Sequence, residues 1–383
     1  MHERVVVVGA GPCGLAIARQ LRHEQGIDAL VVDRADAPAS SWRRLYDGFR
    51  LNTCGYWSHL PGQRIPLRYG RWPGRDDMVA YFEDYVRQQQ PRLLLRTKVI
   101  RIDRDDAGWL VHTAGAPIRC AAVVVATGNY HTPELPPWPG ADAFTGELLH
   151  SAHYRNAGPF AGRDVLVVGA GNSGTDIALQ LSDGVAARVR MAVRTPPHLV
   201  PRAAAGIPVD AFSRALDRLP VPVLDGAAAV LRRMWFGDLE GDGLPPPRQG
   251  IYTALLEEEQ IPTIGDELVP RIRAGRIGVV AAVASFDGDR VVLADGTCLT
   301  PDAVIAATGY RRGLEPLVGR HGVLDEDGKP VVNGVPAATP GLWFAGYDEP
   351  LIGPLRSFRL QASPIAREIA SWVGENEQLI ART

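Results

Sequence analysis

Apolar residues along this chain fall into two repeated blocks. RVVVVGAGPCGLAIARQL (4–21) and DVLVVGAGNSGTDIALQL (164–181) agree at eleven of eighteen positions. Each begins with an unbroken aliphatic run, passes a glycine turn and continues with apolar residues at helical spacing. The unbroken run predicts a strand covered on both faces in a parallel sheet, because a half-exposed strand would alternate. The spacing after the turn predicts an amphipathic helix. The copies are too few and too far apart for a stacked repeat, so two separate domains are expected.

Two further aliphatic runs end in Ala-Thr-Gly: CAAVVVATGNY (120–130) and PDAVIAATGYRRG (301–313). Each predicts a strand and a small-residue turn where the chain crosses between domains. RDDMVAYFEDYVRQQ (75–89) predicts a helix with Met78, Val79, Phe82, Tyr85 and Val86 on its apolar face, stopped by Pro91. TPELPPWPG (132–140) and GLPPPRQG (243–250) predict loops or linkers. Two prolines interrupt the helix-prone run 211–236. It predicts a short helical pair rather than a membrane-surface helix.

The glycine turns bring chemistry into this pattern. GAGPCG (9–14) and GAGNSG (169–174) each stand directly between strand and helix, the context in which G-x-G-x-x-G holds a dinucleotide. Gly9 permits the tight turn, Gly11 lets the backbone approach a pyrophosphate, and Gly14 allows close helix–strand packing. Gly169, Gly171 and Gly174 repeat the spacing. In both, the helix N-terminus offers free N–H groups to phosphate.

The ends of the following strands distinguish the two ligands. Asp33 lies nineteen residues beyond Gly14, where a carboxylate accepts from a ribose 2′-OH and repels a 2′-phosphate. Arg194 lies twenty beyond Gly174, where a guanidinium suits a 2′-phosphate, with Arg202 or His198 as helpers. The first site is therefore expected to take FAD or NAD and the second NADP. FAD with NADPH gives an electron path that two nicotinamides do not.

Composition narrows the class. The 383 residues are 46% hydrophobic and 22% charged, an ordinary globular balance, and the formal charge of -2 argues against nucleic acid as a partner. The cysteines, at 13, 54, 120 and 298, form neither a C-x-x-C pair nor a zinc spacing. A disulfide-exchange reductase and a metal site are therefore not expected. Cys13 and Cys54 read as two buried thiols. No apolar run reaches the roughly 18 residues of a membrane span. The first strand begins at Arg4, leaving no room for a signal peptide, so the expected location is the cytoplasm. FTGELLHSAHY (144–154) carries a His and a Tyr, but no nucleophile–base pair, metal cluster or carboxylate dyad is legible around it.

The order GAGPCG, ATGNYHTP, FTGELLHSAHY, GAGNSG, ATGY resembles the class B flavin-dependent monooxygenases, over nearly the whole chain from Arg4 to about Trp372. FTGELLHSAHY fits that family's F-x-G-x-x-x-H-x-x-x-[FY] pattern through Phe144, Gly146, His150 and Tyr154. HLVPRAAAGIP and the run from Arg273 to Tyr310 are similar to the YUCCA subfamily, plant enzymes that decarboxylate indole-3-pyruvate oxidatively. SWRRLYDGFRLNT resembles the family's flavin-proximal segment.

The resemblance implies an α/β fold of two Rossmann-like dinucleotide-binding domains, the NADP domain (160–297) inserted into the FAD domain (1–159 and 298–383). It implies that Pro12, Cys13, Arg34, Trp42, Arg43, Val99, Thr127, Gly128 and Asp348 join Asp33 around FAD, with Asp348 at the ribityl chain. Asn172 and Ser173 join the second loop, and His150 positions the cofactor by hydrogen bonding. Asn52 is the implied catalytic residue, bonding near a flavin C4a-(hydro)peroxide that forms from NADPH-reduced FAD and O2.

Two departures bear on the reaction. Tyr154 stands where Baeyer–Villiger members usually carry Trp. Asn52 is typical of heteroatom-oxidising members, whereas YUCCA members carry another residue. The implied activity is oxygenation of a small molecule, either at N or S or by decarboxylation of an aryl 2-oxo acid. Baeyer–Villiger insertion, an H2O2-releasing NADPH oxidase and a non-enzymatic flavoprotein are the alternatives. Substrate and O2 are the partners, without membrane or nucleic acid, and a homodimer is compatible with this reading.

Overall fold

The computed structural model describes residues 2–105, 108–211, 219–349 and 351–380, with side chains for all but the last four of these. The chain divides into two compact units. One comprises Met1–Leu45, Cys54–Thr132 and Tyr310–Thr383, the other Tyr46–Thr53 and Pro133–Gly309.

The first unit is built on a seven-stranded sheet. Its parallel part runs Arg92–Leu94, Leu30–Val32, His2–Val8, Ile118–Val125. The last of these strands divides its other edge. Ile118–Cys120 pair with the antiparallel strand Gly108–Thr113, and Val123–Val125 pair in parallel with Leu342–Phe344. Val5 to Val8 are all buried, as a strand with both faces covered requires. The helix Pro12–Gln25 leaves the glycine turn and packs along the long helix Pro354–Ile380.

The second unit repeats this plan with five parallel strands in the order Gly278–Ala281, Arg188–Val193, Asp164–Val168, Ala303–Ala306, Glu147–His150. The helix Asn172–Ser182 follows its glycine turn. Val165, Leu166 and Val167 are fully buried.

The structure divides the chain at other residues than 159 and 297. Glu147–His150 hydrogen-bonds along Ala303–Ala306, which draws 133–159 and 298–309 into the second unit. Residues 46–53 belong there too. Backbone N–H and C=O groups must be paired when buried, so for 133–159 and 298–309 sheet pairing, and not distance from the glycine loop, decides the unit.

The expected helix over 75–89 spans Arg75–Gln89 and buries Met78, Tyr81, Phe82 and Tyr85. Val79 and Val86 are only half-buried. Tyr81 joins the buried face because its hydroxyl is satisfied, donating to the Gln63 carbonyl at 2.8 Å and accepting from the Leu60 N–H at 2.8 Å. In the run 211–236, residues 212–218 lie outside the described residues. The described remainder holds one helix, Val221–Phe236, with Pro220 as its cap and Pro222 in its first turn. Among the described residues no helix is long and apolar enough to cross a membrane.

Candidate functional site

Both glycine turns form cradles of the same shape. Gly9 has φ +114° and Gly169 φ +107°, a conformation that side chains rarely adopt. A Cβ on Gly14 would lie 2.0 Å from the Gly9 carbonyl oxygen, and one on Gly174 2.0 Å from that of Gly169. These outer glycines let helix and strand approach. The middle ones differ, for a Cβ on Gly11 or Gly171 would meet no protein atom within 4 Å. Each is the N-cap of its helix, and neither helix start carries a side-chain cap. Open space thus faces uncapped N–H groups at two helix N-termini, which fits the pyrophosphate of a dinucleotide at each.

Around the first cradle, Asp33 follows the strand Leu30–Val32 and turns back to the turn. Its Oδ2 accepts from the Ala10 N–H at 2.7 Å and its Oδ1 from the Ala35 N–H at 2.8 Å. The carboxylate is therefore held at the cradle's lip with lone pairs to spare for a ribose hydroxyl. Arg34 is exposed beside it. Pro12 and Cys13 are buried, so only backbone of this pair is available to a ligand, and burial with the nearby Asp348 pushes the Cys13 thiol up to about 12. Cys54 is likewise buried.

The other residues expected around the first cradle divide by role. Thr127 is tied to Tyr347, whose hydroxyl accepts from the Thr127 N–H at 3.1 Å and lies 2.9 Å from its Oγ1. Gly128 takes φ +82° just beyond. Val99 is in the core of the unit. Trp42 packs its ring 5.2 Å from Phe82, and Arg43 pairs with Glu83 at 2.8 Å in a mostly exposed contact. Asp348 is oriented through one oxygen: Oδ2 accepts from Asn333 Nδ2 at 2.6 Å and Gln361 Nε2 at 3.3 Å, and Oδ1 is left for another donor.

Around the second cradle, Arg194 follows the strand Arg188–Val193 and is exposed, with no hydrogen bond or ion pair among the described residues. Its neighbours in the expectation go elsewhere. His198 is 5% exposed and buried away from a surface phosphate. Arg202 turns its guanidinium to Asn52, donating from Nη2 to Oδ1 at 3.3 Å. Asn172 spends its side chain on the protein, donating to the Pro262 carbonyl at 2.9 Å and accepting from the Ile264 N–H at 3.1 Å. Ser173 is exposed at the helix start.

Asn52 itself belongs to the second unit. Arg202 occupies its carbonyl end, which leaves the amide Nδ2 as a donor without a partner among the described residues. A donor is the polarity that bonding to an oxygen requires.

Within FTGELLHSAHY the four motif residues, Phe144, Gly146, His150 and Tyr154, pack inward, while Thr145, Glu147 and His153 are exposed. The Phe144 ring meets Phe286 edge-on at 5.1 Å. A Cβ on Gly146 would lie 2.5 Å from that ring. His150, 2% exposed, accepts from the Ala152 N–H through Nδ1 at 3.0 Å, so the ring proton sits on Nε2 and donates to the Gly309 carbonyl at 2.9 Å. Tyr154, 1% exposed, stacks on Phe160 at 5.8 Å and donates to Gln180 Oε1 at 3.1 Å. His150 is thus a neutral tie between the end of one strand and the turn after its neighbour.

Burial holds the imidazoles of His59, His131, His150 and His198 below the ordinary 6.5. Each binds its proton less tightly folded than unfolded. Their contribution to stability is complete above the unfolded value of about 6.5 and is lost as the pH falls from there through the lowered folded values. Thermal unfolding between about pH 7.5 and 5.5 should therefore show a falling midpoint, by about 2–4 °C for each kcal/mol lost. His150→Gln should flatten part of that slope. A midpoint constant over this range would contradict the neutral buried state.

Sequence reasoning did not single out Tyr46 or Asp176. The Tyr46 hydroxyl donates to Asp176 Oδ2 at 2.6 Å, one turn into the second cradle's helix. Burial first, then the Asp176 charge, holds the Tyr46 hydroxyl well above its ordinary range. Burial also raises Asp176, partly offset by its bond to Tyr46 and by Arg202. The one signal in the chain was Tyr46's place inside the segment resembling the flavin-proximal one.

Comparison with known proteins agrees with this geometry. Residues 6–205 match the pyridine nucleotide-disulphide oxidoreductase family model. A probable indole-3-pyruvate monooxygenase, YUCCA8 of Arabidopsis thaliana, is 32% identical over 99% of this chain and 91% of its own. A flavin-containing monooxygenase from Stenotrophomonas maltophilia superposes with a TM-score of 0.73 at 26% identity, covering 96% of this chain and 98% of that one. Cyclohexanone monooxygenase shares the fold, with a TM-score of 0.73 at 20% identity over 97% of this chain and 88% of that one.

Proposed function

The chain belongs to the class B flavin-dependent monooxygenases, and from that premise we propose that it oxygenates an aryl 2-oxo acid with loss of the carboxyl group. It is an FAD- and NADPH-dependent enzyme acting on a small organic substrate with O2. The observation that carries the cofactor assignment is the pair of equivalent cradles with opposite charges at their strand ends, Asp33 and Arg194. The substrate reading is supported by the full-length similarity to a relative named as an indole-3-pyruvate monooxygenase.

In this reading the first unit holds FAD and the second NADPH. Gly11 admits the FAD pyrophosphate, Asp33 accepts from its ribose, and the free Oδ1 of Asp348 accepts from a ribityl hydroxyl. Arg194 receives the 2′-phosphate of NADPH. Oxygen activation is the chemistry that reduced FAD supplies when bound, so the protein needs no nucleophile of its own. The amide Nδ2 of Asn52 is a hydrogen-bond donor, the polarity that an oxygen acceptor calls for. The location proposed is the cytoplasm.

The reaction balances as 2-oxo acid, O2, NADPH and a proton giving the shortened acid, CO2, water and NADP+. Oxygenation at N or S is the second reading, favoured by Asn52. Incubation with 18O2, NADPH and indole-3-pyruvate or phenylpyruvate should place one labelled atom in the shortened acid. Label in an N- or S-oxide alone, from an amine or thioether, would establish the second reading. H2O2 matching all NADPH consumed, with no labelled product from any of these, would defeat both.

A further inference from the structure

The eight residues 46–53 lie between two stretches of the first unit, yet they pack in the second. Both ends are fastened there. At the start, Tyr46 bonds to Asp176, and its ring meets Phe49 at 5.8 Å and Tyr154 at 6.2 Å, both edge-on. The Asp47 N–H donates to the Arg155 carbonyl at 2.7 Å, and Asp47 Oδ2 accepts from Asn156 Nδ2 at 2.9 Å. The Asp47 carbonyl accepts from Gln180 Nε2 at 3.0 Å. At the far end, Asn52 accepts from Arg202. The Arg202 charge also acts on both Tyr46 and Asp176, so one guanidinium serves the two ends.

Asp176 and Gln180 are four residues apart on the helix Asn172–Ser182 and so share a face. That helix begins at the second cradle. Stability alone does not call for a largely buried carboxylate at this position, since apolar residues of similar volume commonly replace buried polar pairs at no loss. The pair instead gives direction, because a hydrogen bond fixes Tyr46 where an apolar contact would let it slide.

We propose that Tyr46 and Asp176 are positioning residues that couple dinucleotide binding at the cradle 169–174 to the placement of Asn52. A ligand that fixes the start of the helix fixes the face carrying Asp176 and Gln180, and through them the segment ending in Asn52. The inference rests on the reading of this cradle as the NADP site.

Hydrogen–deuterium exchange tests it with a readout other than turnover. In the unaltered protein, saturating NADP+ should slow exchange within 46–53 by about tenfold, the equivalent of ~1.4 kcal/mol. Tyr46→Phe keeps the ring and removes the hydroxyl. It should bind NADP+ within about threefold of the unaltered affinity by calorimetry, yet lose the protection of 46–53. H2O2 released per NADPH should rise with it. Should Tyr46→Phe fold poorly because Asp176 is left unpaired, the double variant Tyr46→Phe with Asp176→Leu removes both polar partners and restores a packed pair. It too should bind NADP+ without protecting 46–53. Protection equal to that of the unaltered protein in either variant would overturn the coupling. So would NADP+ binding to the unaltered protein without protection there. Failure of the unaltered protein to bind NADP+ at all would instead overturn the assignment of the cradle, and with it the inference.

Discussion

Arg194→Ala should cost about 10- to 150-fold in NADPH affinity and leave NADH nearly untouched. The range follows from losing charge-assisted hydrogen bonds of roughly 1.5–3 kcal/mol to a 2′-phosphate, at ~1.4 kcal/mol per decade. Arg194 is well placed to show so clean an effect. It is exposed and has no other partner among the described residues, so its removal leaves nothing inside the protein unpaired. Compensation by neighbours is limited, since Arg202 is engaged with Asn52 and His198 is buried. The loss is therefore expected toward the upper part of the range. The measurement is the ratio of kcat/KM for NADPH over NADH, before and after substitution. A ratio that does not move, or an unaltered enzyme that prefers NADH, would reduce Arg194 to a solvated surface charge.

Gly11→Val should abolish FAD binding while leaving a folded protein. The Gly11 backbone sits at φ -74° and ψ 176°, which valine adopts without strain. A Cβ there meets no protein atom within 4 Å, so the new methyls enter only the space left for the pyrophosphate. The affinity should fall by several decades, at ~1.4 kcal/mol each. Gly14→Ala makes the contrast. Its Cβ would stand 2.0 Å from the Gly9 carbonyl oxygen, so helix and strand must separate. Overpacking of this kind costs about 1–3 kcal/mol. The first variant should be colourless with a nearly unchanged far-ultraviolet circular dichroism spectrum, the second destabilised in denaturant. Stoichiometric flavin in Gly11→Val would refute the cradle assignment.

The two cradles, their strands and helices, and the charges at the strand ends were legible because each is written in contiguous residues. An aliphatic run, three glycines and a fixed spacing to the next strand end are local features, and backbone geometry converts them directly into place. The helix Arg75–Gln89 was legible for the same reason. Its buried Tyr81 was not, because whether a tyrosine faces inward depends on distant partners for its hydroxyl. FTGELLHSAHY could be recognised as a motif, but its work could not. His150 meets Gly309 across 159 positions, and Tyr154 meets Gln180 across 26.

By itself, then, the sequence determined two dinucleotide folds with opposite charges at the ends of their second strands, because those features follow from neighbours along the chain. Tertiary structure alone decided that 46–53 packs in the second unit and where 133–159 and 298–309 fall. It alone joined Tyr46 to Asp176 across 130 positions and Asn52 to Arg202 across 150. Single side-chain hydrogen bonds leave no period and no spacing in a sequence. They exist only once the strands of the sheet have brought their residues within about 3 Å of each other.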